Sequence, residues 1–271
     1  MMEKSHRMGG RAARQALRAA PIPEEEKPVH PGLSGGRYQP LTQHEIGRIH
    51  EAALEALETI GFANALPSCI ELVVAAGGSL TDDGRLLFPR VLVEDALARS
   101  ARDITLYAQD PRYDLELSGS RTYFGTAGAA VHVVDTVKRE YRESTAQDLY
   151  DAARIVDEME HIHFFQRPIV LRDIEDPAEM DLNTCYAAVA GTRKHVGTSF
   201  VEPAHADQTI DMLEMIAGGE QAWRARPFVS CSCCFVVPPM RFAEDACRVL
   251  ETCVRRGMPV LLLAAGQAGA T

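Results

Sequence analysis

An α/β fold is what this 271-residue chain predicts: a (β/α)8 barrel of the TIM type, incomplete, with about its first five strands, preceded by a small α+β region. Two observations lead there. From Arg121 onward, strand-like and helix-like segments alternate with the spacing of βαβ units. The segments after the strands carry polar or small residues (Gln166-Arg167, Glu202, Pro238-Pro239, Gln267), as a barrel rim does. The competing doubly wound sheet lacks its phosphate signature, because no Gly-x-Gly-x-x-Gly follows the first strand.

Residues 1–36 are rich in Arg, Pro, Glu and Gly without a sustained period, which predicts a mobile tail or an oligomer-contact arm. Residues 37–120 read as the α+β region. Thr42 and Glu45 form a Thr-x-x-Glu capping box that starts a helix. Ile46, Ile49, Ala53, Leu57 and Ile60 line one face of it, and Gly61 stops it. Residues 68–76 suggest a second helix ended by Gly77-Gly78. Ser79-Leu80 and Leu86-Leu87-Phe88 flank an Asp83-Gly84 turn. A helix over 89–100 and two strand-like pieces, 104–107 and 113–117, complete the region.

Residues 121–271 read as the barrel. Thr122-Tyr123-Phe124 and Val131-His132-Val133-Val134 are strand-like around the small-residue turn Gly125-Thr126-Ala127-Gly128. Helices are expected over 145–158, from Pro177 to 190, over 204–217 and over 242–256, the last closed by Gly257. Strands are expected over 162–170, 195–201, 228–237 and 260–263. About three βα units of a full barrel are missing by this reading. The last strand, Val260 to Leu263, is followed only by the loop-like residues 264–271, so an open apolar edge and aggregation, or dependence on a partner chain, are expected.

Net charge −10 argues against nucleic acid as a partner. No apolar run approaches the ~20 residues of a membrane span. The N-terminus carries Arg7, Arg11, Arg14 and Arg18 and no signal-peptide core, so a cytoplasmic protein is expected. Seven cysteines, an odd number set mostly in apolar segments, fit a reducing compartment.

Several residues invite chemistry. Cys231 and Cys233 share one face of a strand, as two thiolate ligands of zinc would; small buried residues lining the strand are the simpler reading. His161-x-His163 opens a strand, at the end that faces away from a barrel's active face. Phe124 and Gly125 join an aromatic to a turn where backbone can approach a substrate, or they form a tight, packed corner. Glu202 directly follows a strand and can face a cationic substrate group, or serve the helix that starts at Pro203. Asp110 precedes Pro111 in a turn and is a further substrate-face candidate.

The run from Arg121 to Asp135 (RTYFGTAGAAVHVVD), the Leu106–Pro111 segment (LYAQDP) and Lys194–Ser199 (KHVGTS) together resemble the MttB superfamily, the trimethylamine and glycine betaine corrinoid methyltransferases. The resemblance implies a TIM barrel with N-terminal additions. It implies transfer of a methyl group from a tertiary or quaternary methylated amine to the Co(I) of a corrinoid protein. No tightly bound cofactor is implied; the corrinoid (cobalamin) comes with that partner protein. A homo-oligomer is expected, without nucleic-acid or membrane partners. In the trimethylamine enzymes pyrrolysine lies in a later part of the barrel than this sequence reaches. No catalytic residue carries over, and as a fragment the chain is expected to be inactive alone. Phe124, Gly125, Glu202 and Asp110 stand as substrate-face candidates from their places at strand ends and turns. The alternatives are a zinc-thiolate methyltransferase using Cys231 and Cys233, and a non-catalytic half-barrel that binds a partner.

Overall fold

The computed structural model describes residues 31–264. The expected tail up to residue 30 and the loop-like residues 265–271, with Gln267, lie outside the described residues. Within the segment expected as tail, β1 (Leu33–Ser34) pairs antiparallel with Arg121–Thr122.

Helix α1 (Gln43–Thr59) begins at the expected capping box: the Glu45 amide donates to the Thr42 hydroxyl, and the Glu45 carboxylate accepts from the Thr42 amide at 2.7 Å. It ends as expected at Gly61, whose φ of 64° suits glycine. Its buried face differs from the expected one. Leu54 is its buried residue, while Ile46, Ile49 and Ile60 are 46, 57 and 49% exposed. The helix rests mainly on α3 (Arg90–Arg99) and on β3 (Leu86–Leu87), which cover one narrow stripe of it. Between them lie α2 (Pro67–Ala75) and β2 (Ser79–Leu80), the latter paired antiparallel with β3. Strands β4 (Ile104–Leu106) and β5 (Leu115–Leu117) form a second antiparallel pair around a 3-10 turn at Pro111–Tyr113. Arg85 ties the region to the later chain, its guanidinium donating to the Ile60 and Gly61 carbonyls at 2.7 and 2.8 Å and to that of Met240 at 3.3 Å.

After β6 (Arg121–Thr122) the Val131–Val134 segment does not join the parallel cadence. It forms β7 (His132–Asp135), one arm of an antiparallel hairpin with β8 (Glu140–Glu143). The Asp135 carboxylate accepts from the amides of Val137 and Lys138 at 3.0 and 2.9 Å, and Arg139 turns the chain at φ 58°. Strand β8 has two glutamates and an arginine among its four residues, so hydrophobic patterning does not reveal it.

The parallel sheet follows in chain order. Its strands are β9 (Phe164–Gln166), β10 (His195–Thr198), β11 (Val229–Val237) and β13 (Val260–Ala264), each hydrogen-bonded to the next. Single parallel bridges, Gly125↔Phe164 and Ala130↔Ile169, set the residues after β6 on the far side of β9. A two-residue strand, β12 (Arg241–Phe242), returns antiparallel on the end of β11. The connections are α5 (Pro177–Gly191), then α6 (Pro203–Ala217) with α7 (Glu220–Ala225), then α8 (Glu244–Arg256). Helix α4 (Ala146–Asp157) precedes β9 and begins at a capping box of Thr145 and Asp148. Helix α7 escaped the sequence reading because six residues show too little period to identify.

Thus the described chain is a mixed α/β structure whose sheet does not close into a barrel among the described residues. Neighbours in space are neighbours in sequence, and all four long-connected strands run the same way. The core lies between this sheet and its helices: Phe165, Val196, Val229 and Cys231 meet Leu149, Cys185, Ile210, Leu213 and Val249. Trp223 of α7 is fully buried beside it, donating its indole N–H to the Arg256 carbonyl at 3.0 Å. Arg256 also clasps α8 to α6 through Asp207, Asp211 and Glu214 at 2.9, 2.6 and 2.9 Å. On β13, Leu261, Leu262 and Leu263 are 52, 55 and 41% exposed. No described helix is long and apolar enough to cross a membrane.

Candidate functional site

Strand parity sorts the sheet residues onto two faces. Phe165, Val196, Val229 and Cys231 point toward the helices. Phe164, Gln166, His195, Gly197, Ser230 and Ser232 therefore occupy the opposite, inner face, and most of them are polar. Two hydrogen-bond links cross it. Gln166 Nε2 donates to Ser232 Oγ at 3.2 Å, passing over Gly197. A Cβ at Gly197 would lie 1.9 Å from Gln166 Oε1, so glycine is what leaves the glutamine its path. His195 is 1% exposed and lies between Tyr107 O at 2.6 Å and Ser230 Oγ at 2.9 Å. A carbonyl only accepts, so Nδ1 carries the proton and Nε2 accepts from the Ser230 hydroxyl. Burial pushes the imidazole pKa down to about 4, and His195 is neutral at pH 7.

The ends of the strands carry a second polar group. Arg167 follows β9, and its amide donates to the Gly197 carbonyl at 3.0 Å. Its guanidinium donates to Ser199 Oγ, just beyond β10, at 3.1 Å. Nearby, the buried Asp181 carboxylate of α5 accepts from the Val201 amide at 2.8 Å and pairs with His205 Nδ1 of α6 at 2.9 Å. Together these groups fix the loop from Ser199 to Glu202. Glu202 occupies the N-cap position of α6 but makes no side-chain cap bond, and it is exposed. Its carboxylate is free of the helix-capping role weighed above.

The four substrate-face candidates do not assemble at one place. Glu202 lies beyond the C-terminal end of β10. Asp110 lies at the other end of that strand, its amide donating to the Arg193 carbonyl at 3.2 Å. The Arg112 guanidinium and amide hold the Asp110 carboxyl down to about 2. Phe124 sits beside the residue that precedes β9, exchanging backbone and ring-nitrogen bonds with His163 at 2.6 and 2.8 Å. Gly125 is bridged to Phe164, and a Cβ there would fall 2.2 Å from the Phe164 ring. That is the packed-corner geometry. Gly125→Ala is expected to cost roughly 1–3 kcal/mol, because a ring wedged in a corner must shift. Phe124→Ala, at a side chain 47% exposed, is expected to cost less. Urea unfolding of both variants checks the order.

Cys231 and Cys233 face α8, away from the inner face: Cys233 Sγ lies 3.1 Å from the Ala246 carbonyl. The neighbouring Cys253 thiol and burial raise Cys231 far above the usual thiol range, and burial raises Cys233 to about 11. Protonated thiols pointing into a helix contact are poor zinc ligands. Among the described residues no group of three or more His, Cys, Asp or Glu side chains is placed to hold a metal ion. His163 is buried, with Nδ1 accepting from the Phe124 amide, in keeping with a structural role.

The sequence marked Gln166, Arg167 and Glu202 as polar residues after strands. It did not reveal the Asp181–His205 pair, which joins two helices 24 residues apart without a local pattern. It also did not reveal the His195–Ser230 contact, though parity puts both on one face.

Comparison with known proteins follows the same line. The trimethylamine methyltransferase (MTTB) family matches residues 7–271. Trimethylamine methyltransferase MttB of Desulfitobacterium hafniense (strain DSM 10664 / DCB-2) is 29% identical over 241 residues, 89% of this chain and 47% of that protein. Trimethylamine methyltransferase MttB2 of Methanosarcina mazei is 26% identical, over 88% of this chain and 49% of its own length. A glycine betaine methyltransferase of Desulfitobacterium hafniense (strain Y51) is 22% identical, over 87% of this chain and 48% of its own length. The chain spans about half the length of the curated relatives it matches. With the family matched from residue 7 to residue 271, the chain belongs to the trimethylamine methyltransferase (MTTB) family.

Proposed function

We propose that this chain is the N-terminal half of a methyltransferase that moves a methyl group from a tertiary or quaternary amine to the Co(I) of a separate corrinoid protein. The family match over residues 7–271 carries the reading. The parallel strands in chain order support its architectural part, a (β/α)8 barrel whose remaining strands would continue beyond β13 and cover Leu261 to Leu263. The active face is then the C-terminal strand ends, with Arg167, Ser199 and Glu202 on the rim and Gln166 and Ser232 on the inner face. Phe124, Gly125 and Asp110 fall outside that rim.

A corrinoid, when bound by its partner, supplies a strongly nucleophilic cobalt. What this chain supplies is placement and charge. The methyl group leaves nitrogen without the C–N electron pair, so the departing nitrogen has to be cationic beforehand. A quaternary ammonium meets that condition; a tertiary amine meets it when protonated. The uncommitted Glu202 carboxylate is placed to stabilise such a cation at the rim. The Gln166–Ser232 link holds polar groups on the inner face beneath it. The zinc-thiolate alternative draws no support from thiols that face α8 and are raised by burial. The full-length product of the gene is expected to consume cob(I)alamin when given trimethylamine or a methylated quaternary amine. Absence of transfer from every methylated amine overturns the reading.

A further inference from the structure

We propose that the β7–β8 hairpin is the docking element for the protein that carries the corrinoid, which seats on the outward face formed by Val134, Val137 and Tyr141. The inference deepens the methyltransferase reading and rests on it for the identity of the partner.

The hairpin stands past the strand ends. Arg167 is the first residue beyond β9, and the chain after it runs beside the base of the hairpin. There the Val170 amide donates to the Ala130 carbonyl at 2.9 Å, and the Arg172 amide to that of Ser144 at 3.0 Å. Glu202 lies beyond the same end of the adjacent strand β10. A methyl acceptor held by another protein has to approach Glu202 from this side, and so meets the hairpin.

Its base is fixed and its outer face is not covered. Ser144 is fully buried, and its hydroxyl donates to the Val170 carbonyl at 2.6 Å. Arg142 reaches Asp148 of α4 through two bonds at 2.6 and 2.7 Å. Strand parity sets Val133 and Arg142 on one side, where Val133 packs against the core. Val134 and Tyr141 are directly opposite each other in register and point the other way, 53 and 79% exposed. Val137 in the turn is 91% exposed. The anchoring bonds use neither Tyr141 nor the three apolar side chains as a group. A preformed apolar face with a tyrosine at its centre is what a partner protein anchors on, because little ordering cost is left to meet on binding.

Charge adds direction. The turn carries Lys138 and Arg139 beside Val137, on a chain of net charge −10. A local positive spot on an acidic protein selects an acidic patch on its partner and orients it. A second copy seated on this face would stand over the strand ends and obstruct the acceptor.

The test is calorimetric titration of the full-length product with each corrinoid protein of its source organism, loaded with cobalamin, alongside methyl transfer to free cob(I)alamin. One of those proteins is expected to bind the wild type. Tyr141→Ala is expected to weaken that binding about 10-fold or more, as loss of a central interface tyrosine does. Val137→Glu, at a side chain that supports nothing in the fold, is expected to do the same. Transfer to free cob(I)alamin stays at the wild-type rate in both variants, because the free cofactor needs no docking face. Unchanged affinity in both variants overturns the proposal, as does a wild type that binds none of the corrinoid proteins. An equal loss with free cob(I)alamin also overturns it, because that marks a structural role. A fall in molar mass by light scattering for Val137→Glu assigns the face to a second copy and overturns it as well. Hairpin-dependent binding without any methyl transfer upholds the docking face and removes the methyltransferase reading. Transfer to free cob(I)alamin with hairpin-independent binding does the reverse.

Discussion

Lys194→Met is expected to lower stability by roughly 3–5 kcal/mol, enough to unfold a marginal domain. Lys194 is 3% exposed and precedes β10. Its ammonium has three donors, and they meet the carbonyls of Val156, Met159 and Ile162 at 2.7, 2.6 and 2.6 Å. Val156 is in the last turn of α4, where orphan carbonyls and the helix dipole favour a cation. Met159 and Ile162 belong to the link that delivers the chain to β9. One side chain therefore closes a helix end, shapes a loop and sets the start of two adjacent strands. The Tyr113 ring lies 5.6 Å from the same nitrogen. Methionine keeps most of the stem volume and takes the ammonium donor from the Met159 and Ile162 carbonyls, whereas the Val156 carbonyl keeps the Met159 amide at 3.1 Å. Urea unfolding measures the change; a loss under about 1 kcal/mol would show that water replaces the ammonium easily.

Acid is expected to destabilise the protein through His195, by about 3 kcal/mol between pH 6.5 and 4. The folded-state pKa of about 4 lies below the ordinary 6.5. Between those values the unfolded chain binds a proton that the folded chain refuses. The histidine's contribution is therefore complete above pH 6.5 and lost as pH falls toward 4, with no change from this group on the alkaline side. Thermal melts across that range should show the slope in the wild type and a flatter curve in His195→Gln. Equal slopes in the two proteins would mean that other groups dominate the acid limb.

What the sequence disclosed was local. The capping box at Thr42, the helix start at residue 145, Pro177 at a helix start and Gly61 and Gly257 at helix ends involve residues a few positions apart, and the structure has each. The parallel strands were legible because strand-like and helix-like segments alternate along the chain with the spacing of βαβ units. What escaped depended on which partner is present. Helix α1 has a periodic isoleucine face, yet the elements on it reach Leu54 instead. Strand β8 is charged, and only the Asp135 turn folds it back. At the site, Glu202 was legible from its place after a strand, whereas Phe124 and Asp110 required the register to show that they sit at opposite strand ends from it. The direction of Cys231 and Cys233 likewise follows from knowing which face the helices cover.

The most direct test of the account is methyl transfer by the full-length product, followed as loss of cob(I)alamin with a methylated amine as donor, in the wild type, Glu202→Gln and Asp110→Asn. The account predicts transfer in the wild type, a fall of about tenfold or more in kcat/KM for Glu202→Gln, and near wild-type transfer for Asp110→Asn. No transfer by the wild type, or a loss confined to Asp110→Asn, would contradict it.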